Sequence, residues 1–125
     1  MKKQLKGKIF WIEDDFGYIG GIIPKDNTTS HTVARIENVI IEEYMIKFFV
    51  CTHLDHSKTE WSYNVNLLVD DTGIKFNGTF SEEKEPSYKG EVFAELFQNK
   101  NKYMLQGRWF ENESYFTFWA LIDKE

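Results

Sequence analysis

In "EWSYNVNLLV", residues 60–69, apolar and polar side chains alternate. Trp61, Tyr63, Val65, Leu67 and Val69 share one face; Glu60, Ser62, Asn64 and Asn66 take the other. A period of two over this length predicts a half-buried β-strand. "IKFNGTF" repeats the pattern, with Ile74, Phe76, Gly78 and Phe80 opposite Lys75, Asn77 and Thr79. β-Branched and aromatic residues fill these runs. Extended along the chain, the pattern predicts strands over 6–13, 16–23, 33–41, 44–54, 59–69, 73–81, 88–98, 101–111 and 114–122. Within "VARIENVIIEEYM" (33–45), Ile36, Val39 and Ile40 also fit the spacing of a short helix.

The connections carry turn chemistry. "DDFG" at 14–17 and "DDTG" at 70–73 place Asp first and Gly fourth, the order a type I turn favours. "QNKNK" (98–102) and "ENES" (111–114) mark hairpin tips, and "PKDNTTSH" (24–31) and "SEEKEPS" (81–87) mark longer loops.

Four strands share one further pattern. "LKGKI" (5–9), "FNGTF" (76–80), "YKGEV" (88–92) and "LQGRW" (105–109) each set Gly on the same face as large apolar neighbours two residues away. Gly weakens a strand, so its place here needs a cause. A tightly coiled sheet supplies one, because its concave face lacks room for a side chain. "GYIGG" (17–21) fits the same need. Sheets that coil this strongly tend to close and remove their edges. The expected fold is therefore all-β, an antiparallel up-and-down barrel of eight or nine strands in one domain spanning 1–125. A two-sheet β-sandwich is the alternative.

The hairpin-after-hairpin plan and Gly107-Arg108-Trp109 resemble small avidin-like and lipocalin-like barrels, which carry a Gly-x-Trp element. In those families the element lies in the first strand, which here reads "LKGKIFW". The resemblance implies a calycin-type barrel, and no ligand-contacting residue is carried over from it.

Composition narrows the function. The 125 residues suit one core. Their formal charge of −5 opposes binding to nucleic acid or to an anionic membrane surface. No apolar run approaches the ~18–20 residues of a membrane-spanning helix, and no signal-peptide core follows the basic "MKKQLKGK". A cytoplasmic protein is expected. The single cysteine excludes an intramolecular disulfide.

Two stretches look chemical. "CTHLDH" (51–56) resembles the His-x-His-x-Asp-His motif of the metallo-β-lactamase fold, with Cys51 in place of the first His. On a regular strand Cys51, His53 and Asp55 would share a face, as a zinc site requires. That family needs downstream histidines, however, and the one other histidine here is His31, upstream. The expectation is a strand end and polar hairpin tip, with His53 and Asp55 as spectators at the barrel rim and no metal. "DTG" (71–73) resembles the catalytic triplet of retroviral-type aspartic proteases. It lies past the midpoint, and the flap-like "GYIGGI" precedes it instead of following. The carboxylates Glu13, Asp14 and Asp15, and Glu82, Glu83 and Glu85, read as solvated loop charges. No catalytic residue and no cofactor is expected, and the protein is read as non-enzymatic.

The aromatics are the functional lead: eleven Phe, six Tyr and four Trp. If the strand glycines face inward, Phe76, Phe80, Tyr88 and Trp109 do too, as do Trp11, Trp61 and Tyr63 on their own strands. Buried Tyr and Trp need polar partners, which a ligand can supply. The expected ligand-binding residues are Trp11, Trp61, Tyr63, Phe76, Tyr88 and Trp109, holding a small, largely apolar or planar molecule. Arg35 and Arg108 are the chain's two arginines, and the inward-Gly register places Arg108 outside. The alternative is a protein-interaction module of inhibitor or immunity type with a filled core. A metal-dependent or aspartyl hydrolase ranks behind both. "YFTFWALI" (115–122) and "MIKFFVC" (45–51) are apolar on both faces. An apolar outer face implies burial against a partner, most simply in a homodimer through these strands.

Overall fold

The structure is a computed structural model and describes residues 4–13, 31–54 and 58–124. Eight strands follow one another: β1 (Leu5–Glu13), β2 (His31–Ile41), β3 (Met45–Leu54), β4 (Glu60–Val69), β5 (Lys75–Glu82), β6 (Lys89–Gln98), β7 (Lys102–Glu111) and β8 (Ser114–Asp123). Each pairs antiparallel with the next. β8 then pairs back onto β1, from Lys6 opposite Asp123 to Glu13 opposite Phe116, and closes the barrel. One closed ring replaces the two-sheet sandwich. Eight strands complete it, and the strand expected over 16–23 lies outside the described residues.

The helix considered for 33–45 does not form, because the segment pairs along both sides, with β1 and with β3. A bulge explains the helix-like spacing. The β2–β3 register shifts between Glu37 and Ile40, and Asn38 takes a positive φ of 54°. One extra residue resets the strand's phase, so Ile36 and Val39, three apart, both point inward and are fully buried.

Two turns match their chemistry. The Gly73 N–H donates to the Asp70 carbonyl (3.1 Å), and Asp70 Oδ1 accepts from the Thr72 N–H (3.0 Å). "DTG" is thus the tip of the β4–β5 hairpin. The β7–β8 turn has positive φ at both central residues, Asn112 (49°) and Glu113 (66°), the geometry whose twist suits a two-residue hairpin. It sets Glu111 opposite Ser114.

Alternation fills the interior. Ile9, Ile36, Val39, Ile46, Val50, Val65, Leu67, Phe80, Val92, Leu105, Trp109, Phe118, Ala120 and Ile122 are almost wholly buried in one core cluster. The strand glycines lie where neighbouring backbone passes closest. A Cβ on Gly78 would stand 1.8 Å from the Asn66 carbonyl oxygen, and one on Gly107 1.8 Å from that of Phe93. Close approach of neighbouring strands, as expected for a coiled sheet, is the reason for Gly there.

Gly107→Ala is therefore expected to cost about 3 kcal/mol, because the methyl group meets backbone that cannot yield. Gly73→Ala, in open space with φ of 77°, should cost only about 1–2 kcal/mol of left-handed strain. Urea unfolding midpoints of the two variants check the order.

Candidate functional site

One end of the barrel gathers most of the interior rings. It is formed by the last residues of β1, β3, β5 and β7 and the first residues of β2, β4, β6 and β8. Trp109 is the hub. It stacks on Phe80 (centroids 4.4 Å apart) and meets Trp11 (5.4 Å), Tyr63 (5.5 Å) and Phe118 (5.9 Å) edge to face. Trp61 packs on Tyr88 (4.9 Å) and beside Tyr63 (6.2 Å). Trp11, Tyr63 and Trp109 are buried, while Trp61 and Tyr88 are half-buried.

Five of the six sequence-expected residues thus form one group. Phe76 stands apart. It pairs with Val69 and Ala94 toward the other end and makes no ring contact among the described residues. It is a core residue of the opposite half.

Two members were not foreseen. His53 was expected at the rim as a spectator, yet its ring stacks on Trp11 (5.3 Å) and lies 5.7 Å from Tyr63. The cause is a bulge. β3 and β4 pair at Val50–Tyr63 and next at His53–Trp61, one residue out of step. This sends His53 inward and separates it from Cys51. The Cys51 thiol lies outside the core cluster, beside Glu37 and Arg35. Burial pushes its pKa up, and the Glu37 carboxylate adds to the rise, so the thiol stays protonated. The Cys51–His53 pair therefore shares no face for a metal. Asp55 and His56 lie outside the described residues.

Glu111 is the second. Its Oε2 accepts hydrogen bonds from the Tyr63 hydroxyl (3.1 Å) and the Tyr88 hydroxyl, and its Oε1 accepts from Trp109 Nε1 (2.8 Å). One carboxylate thus satisfies three polar tips that a ligand was expected to serve. Strand alternation contained the signal: Leu105, Gly107, Trp109 and Glu111 fall on one face. Tyr63 responds to this setting. Burial pushes its pKa far above the usual phenol range, and the Glu111 charge pushes the same way.

Glu82, expected to be a solvated loop charge, is buried instead. Its Oε2 accepts from the Ser62 N–H (3.0 Å) and hydroxyl (3.2 Å), and its Oε1 from the N–H groups of Lys84 (2.9 Å) and Glu85 (3.1 Å). Burial opposes its charge, but these donors outweigh burial and hold its pKa below the usual value. Glu82 thereby ties the β5–β6 connection, which carries Tyr88, to β4.

One polar atom is left over. Trp11 Nε1 is the buried side-chain polar atom with no hydrogen-bond partner among the described residues, on a side chain only 5% exposed. An unpaired buried donor costs about 1–3 kcal/mol, so it marks a place where an acceptor would be stabilising.

Comparison with known proteins finds no matching family model, no matching curated protein and no matching solved structure. What is established is the class: a closed eight-stranded antiparallel up-and-down β-barrel, of the general calycin-like form. No helix among the described residues is long and apolar enough to cross a membrane.

Two outcomes follow for the carboxylate. Glu111→Gln should cost about 1–3 kcal/mol in urea unfolding, because hydrogen bonds to a charged acceptor are the stronger kind. The folded-state pKa of Tyr63 is raised, so the stability it contributes is complete below the unfolded value of about 10 and is lost as pH rises beyond it. Stability measured from pH 9 to pH 11 should therefore fall less steeply in Tyr63→Phe than in the parent protein.

Proposed function

We propose that this is a non-enzymatic binding protein, in the manner of avidin-like and lipocalin-like barrels, for a small planar or largely apolar molecule. The ligand sits at the aromatic end of the barrel. It rests on Trp11, Tyr63 and Trp109, with the half-buried His53, Trp61 and Tyr88 beside them. Trp11 Nε1 carries the reading: a buried N–H without a partner among the described residues, amid rings that offer a planar ligand its apolar contacts. The ligand accordingly brings a hydrogen-bond acceptor. Packing of Ile36, Val39, Ile46, Leu67 and Ile122 along the rest of the interior favours a site at this end over one running the barrel's length. Phe76 has no part in it. The acidic balance of the chain argues for a partner other than nucleic acid. A second reading, a protein-interaction module, is favoured by the packed core together with apolar side chains on the outer wall.

Anilinonaphthalene sulfonate, with a planar naphthalene and sulfonate acceptor oxygens, is a suitable probe. It should bind saturably at one per chain and quench tryptophan emission. Trp11→Phe, which keeps a ring but removes the N–H, should weaken it about tenfold, the worth of one buried hydrogen bond. Trp119→Lys, on the outer wall, should leave binding unchanged. Absence of saturable binding, or equal binding by Trp11→Phe, rejects the reading.

A further inference from the structure

Three polar tips of the aromatic end are served from within the group: Tyr63, Tyr88 and Trp109 donate to Glu111. Two ring nitrogens on neighbouring residues differ from these. Trp11 Nε1 is a buried donor with no partner among the described residues. The other belongs to His53, whose ring stacks on Trp11 with 26° between the planes.

The proton on His53 can be placed. Its Nδ1 lies 2.9 Å from the carbonyl oxygen of Cys51, two residues back along β3. A carbonyl oxygen only accepts, so the neutral ring carries its proton on Nδ1 and its lone pair on Nε2. The contact spans the bulge, where Cys51 and Thr52 together oppose Ser62 alone. Among the described residues Nε2 has no hydrogen-bond partner. Two stacked rings thus present one donor and one acceptor.

Ligand chemistries meet this pair unequally. A hydrocarbon ring serves neither nitrogen. A ligand with an acceptor alone serves Trp11 Nε1, but it strips water from the half-buried His53 and leaves Nε2 without a donor. A planar molecule with a carbonyl and an N–H side by side on one edge serves both, and its rings still lie among the aromatics. A site that bonds an N–H rejects the analogue lacking it more sharply than an apolar wall rejects a change of shape.

We propose that the barrel end selects a planar lactam-type heterocycle, its carbonyl accepting from Trp11 Nε1 and its N–H donating to His53 Nε2. The inference rests on the barrel-end binding site proposed above and adds the chemical class of its ligand.

Carbostyril, a planar bicyclic lactam, and coumarin, the lactone of the same shape, differ in that one N–H. Titration calorimetry on the whole chain should find carbostyril bound about tenfold tighter, the difference one hydrogen bond makes. His53→Phe, which keeps a ring beside Trp11 but has no lone pair, should bring the two affinities together. Trp11→Phe should weaken both by about the same factor, since both carry the carbonyl. In alkaline buffer, long-range proton–nitrogen correlation spectra of the parent protein should place the His53 proton on Nδ1, and carbostyril should shift the Nε2 resonance more than coumarin does. Equal affinities for the two, a preference that survives in folded His53→Phe, or a proton on Nε2 overturns the assignment. If anilinonaphthalene sulfonate still binds when the two affinities are equal, the barrel-end site stands and only its ligand class falls. If neither it nor carbostyril binds, the site itself is rejected and the ligand class with it.

Discussion

Closure of the sheet between β1 and β8 is the constraint on which the rest depends. It removes both edges, which an eight-stranded open sheet would leave as pairing templates. It also fixes the width of the interior, because eight tilted strands enclose little more than their own side chains. The chain answers with glycine where strands coil past one another and with large rings where the interior must be filled. Gly107 and Trp109 illustrate the division. Two residues apart on the inner face of β7, one yields to the neighbouring backbone and the other packs against four rings.

An aromatic interior raises a second demand, for polar partners. Tyr63, Tyr88 and Trp109 carry polar tips into a place with few acceptors, and Glu111 serves all three at the end of β7. Its position follows from the tight Asn112–Glu113 turn, which ends β7 just beyond it. Glu82 has the complementary task on β5, gathering donors mainly from backbone. The two carboxylates differ in what they restrain. Glu82 holds a loop against β4, whereas Glu111 orients rings. Among the described residues, Trp11 Nε1 is what this economy leaves unserved.

Much of this was legible in the sequence. Period-two alternation located the strands of the closed barrel, and the glycine pattern indicated coiling and closure. Two of the failures share one cause: bulges. A bulge inserts one residue and reverses the faces beyond it, so any inference from strict alternation changes sign there. At Asn38 this made a strand look helical. At Cys51–Thr52 it turned His53 from the rim to the rings and separated it from Cys51. No residue type at 51–52 announces that shift. Glu111 failed otherwise. Its register was readable, but its charge and its place in "ENES" suggested a solvated turn. Phe76 was placed inward correctly, yet alternation reports a face and not a height along the barrel.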